Sequence, residues 1–482
     1  MPASTPAPTP PPVDPFDPAG FRALGHRFVD LIADHLEHTA APDGRVLDLP
    51  PPAERLASVP PLPVVGAPPT AEALLHRLLA ESNRLHHPRY MGHQVCPPQP
   101  VLALFELANA VLNNGMAVYE MGPVQTAMEL RAVRWMAGRL GLPDGADGVL
   151  TSGGSVGNLT ALLAARQRHG GDAWQRGGDR FCVLVSEQAH YCIGRAVRIL
   201  GWGDGGVVPV PVDDGFRMRA DLVPDLCAAA RARGREPIAV VASSCTTATG
   251  SFDPLPRLAD ACRALGLWLH VDGAHGASYA LSPSVRERLR GIDRADSVVW
   301  DAHKLLQVPA LVTGVLFRDG GAGAAAFAQQ ASYLFEQRAQ DEWYNRGHRT
   351  LECTKRGLGV LLYAAVALLG EPALTASLEH GVALARHLAA RVRDAADLEL
   401  AVAPDCNIVC FRHRPDGVAA ADLDAHNRRI RERLLRAGAF YVVQTALPQG
   451  LFLRVTLINP RTTPADVDAM LAAVRAAARE AS

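Results

Sequence analysis

The stretch from Ser297 to Leu316, SVVWDAHKLLQVPALVTGVL, decides how the rest of the chain is interpreted. Its centre, Asp301-Ala302-His303-Lys304, stands between two short apolar runs that are typical of strands, which places Lys304 on the loop that joins them. If this loop faces a dry pocket, desolvation lowers the pKa of the lysine and frees its amine to form a Schiff base with a carbonyl. A lone loop lysine is more often a solvated surface charge, so the other motifs must decide between the two.

The composition is that of a globular protein with a small-molecule partner. The chain has 482 residues, of which 48% are hydrophobic and 20% are charged, and its formal net charge is −1. A chain of this length forms about two or three domains. Because no basic field is present, neither a nucleic acid nor an anionic membrane surface is indicated as a partner.

Cysteine usage and the first residues both favour the cytoplasm. The nine cysteines are scattered without a C-x-x-C pair, as is typical of reduced thiols. The opening MPASTPAPTPPPVDP lacks the charged and apolar regions of a signal peptide and is predicted to be a disordered, proline-rich leader. No run of about eighteen apolar residues occurs, so we expect no transmembrane helix.

The pattern of apolar residues divides the chain into four parts. Residues 1–15 are the leader, and residues 16–97 are predicted to form helices, joined by an extended strap over 47–70, that would pack on the main body or on a partner subunit. Over 98–370, β-rich runs alternate with helical patterns, which predicts an α/β domain with a mostly parallel sheet and helices on both faces. Residues 371–482 have two helices and two β-like runs, as expected of a small α+β domain. The strands predicted in the larger domain are 148–151, 181–186, 207–212, 238–243, 267–272, 297–300 and 311–317.

A glycine-rich turn, Gly153-Gly154-Ser155-Val156-Gly157-Asn158, follows the first of these strands and opens a helix. Backbone N–H groups and the helix dipole converge there, which suits a phosphate, although a simple capped helix start has the same pattern. The required spacings of a Walker loop or a dinucleotide fingerprint are absent. The turn also matches G-x-S-x-G, so a rival hypothesis makes Ser155 the nucleophile of an α/β-hydrolase with Asp272 and His303 as partners. That hypothesis leaves Lys304 unexplained.

Asp272 ends a predicted strand, and carboxylates at the carboxyl ends of sheet strands lie where α/β proteins bind ligands. A turn or helix-cap aspartate is the alternative. Beside a pyridine cofactor, Asp272 would keep the ring nitrogen protonated so that the ring accepts electrons. His87 and His93 could suggest a metal, but no carboxylate or cysteine completes a ligand set at the usual spacing, and we expect no metal site.

Several motifs occur together and in one order. They are HPRY (87–90), YEMGP (119–123), TSGGSVGN (151–158), SEQAHYC (186–192), HVDGAHGA (270–277), DAHK (301–304) with Pro309, and LRV (453–455). As a set they resemble the group II pyridoxal-phosphate-dependent amino acid decarboxylases, such as the aromatic-L-amino-acid, glutamate and diaminobutyrate decarboxylases. The resemblance covers nearly everything after the leader. It implies the fold type I of pyridoxal-phosphate-dependent transferases, like that of aspartate aminotransferase, and pyridoxal 5'-phosphate as the cofactor.

The resemblance also implies a role for each matching residue. Lys304 would carry the cofactor as an internal aldimine, His190 would stack on the pyridine ring, and Asp272 would pair with the ring nitrogen. The other implied contacts are Gly154, Ser155 and His303 to the phosphate, Cys192 and Thr246 to the cofactor, Ala274 to the second ring face, and Arg454 to the substrate's α-carboxylate.

The proton donor and the substrate pocket are less closely matched. In relatives a tyrosine on a mobile loop, often from the other subunit, returns the proton to Cα, and its loss diverts the reaction to an aldehyde. Here the loop is expected between Leu334 and Thr354, which makes Tyr344 the candidate. After the HPRY motif the chain is more polar than aromatic decarboxylases, with His93 and Gln94 as candidate substrate contacts.

We therefore expect a cytoplasmic homodimer, with active sites near the interface, that decarboxylates an L-amino acid to its amine and CO₂ through a Lys304 aldimine. The N-terminal segment would wrap the partner subunit. Three alternatives stay open: oxidative decarboxylation to an aldehyde or transamination on the same cofactor, the serine hydrolase, and a non-enzymatic scaffold.

Overall fold

The computed structural model describes residues 16–39, 41, 44–62, 64, 69–171, 173–327 and 342–479, so the predicted leader lies outside the described residues. The helices are α1 Pro18–Thr39, α2 Pro52–Ser58, α3 Ala71–Glu81, α4 Pro100–Leu112, α5 Pro123–Arg139, α6 Gly154–Gly170, α7 Ala173–Arg176, α8 Cys192–Ile199, α9 Val223–Ala232, α10 Leu255–Leu265, α11 Ala302–Leu305, α12 Gly320–Ala326, α13 Leu358–Arg393, α14 Leu423–Ala437 and α15 Pro464–Arg479. The strands are β1 Asp147–Thr151, β2 Phe181–Ser186, β3 Val207–Val210, β4 Glu236–Ser243, β5 Trp268–Asp272, β6 Ser297–Asp301, β7 Thr313–Phe317, β8 Leu398–Leu400, β9 Ile408–His413, β10 Val443–Leu447 and β11 Gly450–Thr456.

The larger sheet has seven strands within the described residues, in the order β1-β7-β6-β5-β4-β2-β3. Pairing is parallel from β3 to β6, while β7 runs antiparallel to both of its neighbours. Strands β2, β5 and β6 are buried along their whole length, as expected of parallel strands covered on both faces. Because β7 alone is reversed, the carboxyl ends of β1, β2, β4, β5 and β6 meet at one edge.

Two apolar cores cover the two faces of this sheet. Helices α6 and α8 pack on one face around Leu162, Val183 and Val241, and α5, α9, α10 and α13 pack on the other around Val240, Leu269 and Trp300. The fold class predicted from the sequence, a mostly parallel α/β sheet with helices on both faces, is thereby confirmed.

The C-terminal part carries a four-stranded antiparallel sheet, β10-β11-β9-β8, packed on α13, α14 and α15. Two of these strands, β8 and β10, were not predicted, because β8 has only three residues and β10 is half-exposed. The domain bounds at 97/98 and 370/371 stay predictions; Gly370 has a φ of 73° and interrupts the helical geometry of α13.

Two predictions from the sequence were wrong. The strap over 47–70 contains a short helix, α2, which starts at its own proline, Pro52. Helix α13 is long and apolar enough to cross a membrane by length and composition, although we expected no such segment. It packs on α5 and α4, and the core helices of globular proteins meet the same criterion.

Candidate active site

A pocket of about 370 Å³ lies at the edge of the large sheet where the carboxyl ends of the strands meet. This position is the usual ligand site of open α/β sheets. Each strand that ends there leads into a segment of the wall. The lining residues are Gly154, Ser155, Asn158, His190, Cys192, Ser243, Cys245, Thr246, Thr247, Asp272, Ala274, His275 and Lys304.

The glycine-rich turn can accept an anion. Gly153 has a φ of 117°, which favours glycine, and a Cβ on Gly154 would lie 3.2 Å from Asp301 Oδ1, so the backbone approaches the pocket closely. Helix α6 starts there without a side-chain cap, and its first N–H groups therefore stay available. Ser155 is exposed at this helix start. The donor set fits the phosphate of the implied cofactor.

Lys304 lies on α11, within the connection between β6 and β7, as predicted. Its Nζ is 3.0 Å from Asp301 Oδ2, and Thr313 Oγ1 donates to Asp301 Oδ1 at 2.5 Å. Burial lowers the pKa of Lys304, but the carboxylates of Asp301 and Asp272 outweigh it, and the pKa is raised. The expectation that a dry pocket would lower this pKa was therefore wrong, because desolvation was considered without the two neighbouring charges.

Asp272 is 8% exposed and accepts two hydrogen bonds. Ala274 N donates to Oδ1 and Asn158 Nδ2 donates to Oδ2, both at 3.2 Å. Burial raises the pKa of Asp272, and Lys304 and the Ala274 N–H oppose that rise. The carboxylate thus stands at the end of β5 with partners that favour its charged form.

His190 and Cys192 form one wall of the pocket. Burial lowers the pKa of His190, which favours a neutral ring, and Cys192 N donates to His190 Nδ1 at 3.3 Å. Burial raises the pKa of Cys192 to about 12, so its thiol is protonated. Thr246 and Ala274 lie in the same wall, and Thr246 Oγ1 is 2.9 Å from Thr249 Oγ1.

His303 does not belong to this wall. Its Nδ1 lies 3.0 Å from Val312 O and its Nε2 lies 3.7 Å from Asp301 Oδ2. The predicted contact to the phosphate stays a prediction. Among the hydrogen bonds of the described residues, none joins Ser155 to a histidine, which leaves the serine hydrolase without a base.

Arg454 lies on β11 and lines an adjoining cavity of about 620 Å³, which shares His190 and Thr247 with the first pocket. It is 5% exposed, and its Nε and Nη2 have no hydrogen-bond partner. The pKa of His93 is lowered, mainly by partial burial and to a smaller extent by the positive charges of Arg454 and Arg431. Gln94 Nε2 is buried without a partner as well. The unpaired Arg454 nitrogens make the adjoining cavity receptive to an anion. His93 and Gln94 are not among the residues that line either cavity, and their contact with the substrate stays a prediction.

Tyr344 stands apart from the pocket. Its ring packs edge-on against Tyr119 and Trp343, each at 5.7 Å between centroids, and it is not among the lining residues. Residues 334–341 of the expected loop lie outside the described residues. The assignment of Tyr344 as proton donor stays a prediction.

Sequence reasoning gave no role to Asp301, the partner of Lys304, or to Asn158, the partner of Asp272. Asp301 ends β6 as Asp272 ends β5, so the rule that singled out Asp272 could have found it. Asn158 was part of the glycine-rich motif but received no role, because only the packing of α6 over β5 brings it to Asp272.

Known proteins are similar to this chain in sequence and in fold. A sequence model of the pyridoxal-dependent decarboxylase conserved domain matches residues 95–414. Human cysteine sulfinic acid decarboxylase is 32% identical over 80% of this chain and 81% of its own length, and the aromatic-L-amino-acid decarboxylase of Bacillus atrophaeus is 29% identical over 96% of each. The crystal structure of mouse CSAD in apo form has a TM-score of 0.88 at 27% identity and covers 96% of this chain and 99% of that one. Rhodiola rosea 4-hydroxyphenylacetaldehyde synthase shares the fold with a TM-score of 0.87 at 20% identity, over 97% and 99% of the two chains.

Proposed function

Because this chain belongs to the pyridoxal-dependent decarboxylase family, we propose that it removes the α-carboxyl group of an L-amino acid and releases the amine and CO₂. The observation that carries the proposal is the buried side chain of Arg454, which has unpaired nitrogens beside the cofactor pocket. Its buried guanidinium has two unpaired nitrogens in a cavity that joins the cofactor pocket at His190. A carboxylate can bind both nitrogens at once and compensate a buried charge that is otherwise destabilising.

The residues around the pocket divide the work of such a reaction. Pyridoxal phosphate, when bound, supplies a ring that accepts the electron pair left on Cα as CO₂ departs. Lys304 provides the amine that holds the cofactor, and Asp301 beside it stabilises the charged lysine when that amine is free. Asp272 supplies the negative charge at the base of the pocket, and the neutral His190 ring forms its wall. Tyr344 is the proposed donor of the proton to Cα.

Oxidation to an aldehyde is the second candidate. It requires that Tyr344 does not protonate Cα promptly, because an unprotonated Cα stays open to oxidation; within its own subunit Tyr344 packs against Tyr119 and does not line the pocket. An aldehyde synthase also has this fold. In that reaction dioxygen and water are consumed, and CO₂, ammonia and hydrogen peroxide are released with the aldehyde.

Incubation with a mixture of aromatic, acidic, basic and aliphatic L-amino acids tests both candidates. Mass spectrometry identifies the amino acid that is consumed, and an amine supports decarboxylation. An aldehyde with equimolar peroxide supports the oxidative route, and a 2-oxo acid would show transamination. Lys304→Ala should abolish every product. If it turned over substrate normally, or if a fluorophosphonate labelled Ser155 and stopped the reaction, the proposal would be wrong.

We also propose a cytoplasmic homodimer. Apolar side chains of α1 and α4 are exposed and line a shared groove, among them Phe21, Leu24 and Leu104. A second copy of the chain would bury this surface, as exposed apolar patches of this kind often mark interfaces. Light scattering during size-exclusion chromatography should give twice the 51.4 kDa of the chain. A Leu24→Glu variant should shift the protein toward the monomer, and a monomeric wild-type protein would refute the proposal.

A further inference from the structure

A row of polar side chains lies buried beneath the pocket. Side chains alternate along a strand, so Trp268, His270 and Asp272 all point to the face of β5 that α6 covers. His270 is fully buried and faces Ser297 across the β5–β6 pair. Asn158 enters this layer from α6. None of the chemistry described above uses His270, although burying an imidazole is unfavourable unless it is hydrogen-bonded.

These side chains form one continuous series of hydrogen bonds. Trp268 Nε1 is 2.8 Å from Ser297 Oγ, which is 2.8 Å from His270 Nδ1. His270 Nε2 is 2.7 Å from Asn158 Oδ1, and Asn158 Nδ2 is 3.2 Å from Asp272 Oδ2. Each of the five side chains is at most 8% exposed, so water does not compete for these bonds.

The chemistry of the two ends sets a single direction for the series. The Asp272 carboxylate can only accept and the Trp268 indole N–H can only donate, so Asn158 donates its N–H₂ to Asp272 and accepts from His270 at Oδ1. Ser297 Oγ then accepts from Trp268 and donates to the remaining His270 nitrogen, Nδ1. His270 then carries its proton on Nε2 and donates it to Asn158 Oδ1. A reversed Asn158 amide would place its oxygen against the Asp272 carboxylate, which is repulsive.

We propose that Asn158 and His270 are positioning residues, which use this one-way series to hold Asp272 ionised and fixed at the base of the cofactor pocket. The proposal rests on the proposed function only in taking Asp272 as the partner of the cofactor's ring nitrogen. His270 fixes the oxygen end of the Asn158 amide, while its N–H₂ group faces Asp272 Oδ2 and lies 3.4 Å from Cys192 Sγ. Removing His270 leaves the buried Asn158 oxygen without its partner, so the side chain can shift away from Asp272, which then loses a donor in a buried site where loss of charge is favoured.

Burial supports the same arrangement. It lowers the pKa of His270 to about 4, so the ring stays neutral and keeps one donor and one acceptor nitrogen at neutral pH. Burial also raises the pKa of Asp272, which makes the donated N–H from Asn158 matter for its charge.

The test compares His270→Leu with His270→Gln. Glutamine offers one donor and one acceptor, so it can replace both hydrogen bonds, whereas leucine replaces neither. With the cofactor labelled with ¹⁵N in its ring, NMR should show a protonated ring nitrogen from pH 6 to pH 9 in the wild-type and glutamine forms and a deprotonated one in the leucine form. Cofactor binding should weaken about 10-fold or more in the leucine form only. ¹⁵N-histidine spectra of the cofactor-free wild type should show His270 protonated at Nε2.

His426→Leu is the matched control, because it also removes a buried histidine, one that is 4% exposed and bonded to His413 in the small domain. It should leave the ring nitrogen protonated. A His270→Leu protein that is folded by circular dichroism and keeps a protonated ring nitrogen overturns the proposal, as does an Nδ1–H tautomer in the wild type. If no amino acid is decarboxylated but the leucine form alone loses the ring proton, the positioning role holds and the proposed reaction fails.

Discussion

Replacing Glu129 with glutamine should destabilise the protein strongly, because this carboxylate holds two buried cations. Glu129 is fully buried, its oxygens lie 2.7 Å and 2.6 Å from Lys355 Nζ, and Arg346 Nε is 3.4 Å away. Lys355 and Arg346 side chains are 5% and 0% exposed. The substitution leaves both without their countercharge.

The size of the effect follows from this geometry. At this separation and an effective dielectric constant of about 20, the Lys355 attraction alone is about 6 kcal/mol before desolvation is counted. Removing one partner of a buried ion pair lowers the free energy of unfolding by about 3–5 kcal/mol. This is a large part of the total free energy of unfolding, which is about 5–15 kcal/mol for a typical protein. Burial lowers the pKa of Lys355, although Glu129 opposes this effect. Without Glu129 the pKa of Lys355 falls further, and the lysine deprotonates more readily. The destabilisation should therefore be largest at low pH and shrink toward pH 9.

Urea unfolding followed by tryptophan fluorescence at pH 7 and pH 9 measures this change. Glu106→Gln is the control, because Glu106 pairs with Arg356 at 2.6 Å but on the surface, and its loss should cost at most about 1 kcal/mol. A Glu129→Gln/Lys355→Met double variant restores the net charge of the cluster and should recover most of the stability. If Glu129→Gln behaves like Glu106→Gln at pH 7, the buried-charge argument is refuted.

Cofactor affinity should fall with the same substitution. Leu150 N donates to Glu129 Oε1 at 3.2 Å, and Lys355 Nζ donates to Leu150 O at 2.5 Å. Leu150 lies in β1 just before the turn at Gly153, so the cluster fixes the strand that carries the turn.

Further predictions concern the site itself. Arg454→Leu should lower kcat/KM about 10-fold to 150-fold through the lost charge-assisted hydrogen bonds, with cofactor affinity unchanged; equal loss of both would contradict a substrate role. Asp301→Asn should lower the pKa of Lys304, because burial lowers this pKa and the Asp301 carboxylate opposes that effect. The pH profile of the rate of cofactor uptake by the apo protein, measured by stopped-flow absorbance, should therefore shift to lower pH. An unchanged profile counts against this pairing. Burial lowers the pKa of His275 to about 3 in the folded state, whereas an unfolded histidine has a pKa of about 6.5. As the pH falls below about 6.5, the unfolded chain is protonated at His275 and the folded chain is not, so the free energy of unfolding decreases. In His275→Gln, urea unfolding between pH 7 and pH 5 should show a shallower acid slope, and an identical slope would exclude this histidine as the cause.

The sequence by itself determined which segments of the larger domain form strands and that Asp272 ends one of them. Alternating β-rich and helical runs predicted the α/β domain, because buried parallel strands read as continuous apolar stretches such as FCVLVS over 181–186. Lys304, Asp272 and the glycine-rich turn were found because each lies within a local motif, and local motifs survive in a linear sequence. The alternation of side chains along a strand also places His270 on the same face of β5 as Asp272.

Only the tertiary structure decided how these groups are charged and what lies opposite them. The pKa of Lys304 is set by burial and by two carboxylates, one of them 32 positions away in the chain, and the sign of their sum cannot be read from spacing. Three features depend on contacts between segments that are distant in sequence. They are the cavity that contains Arg454, the hydrogen-bond series from Trp268 to Asp272, and the ion-pair cluster of Glu129. Desolvation and hydrogen bonding depend on every group that packs around a side chain, and packing is a property of the folded chain alone.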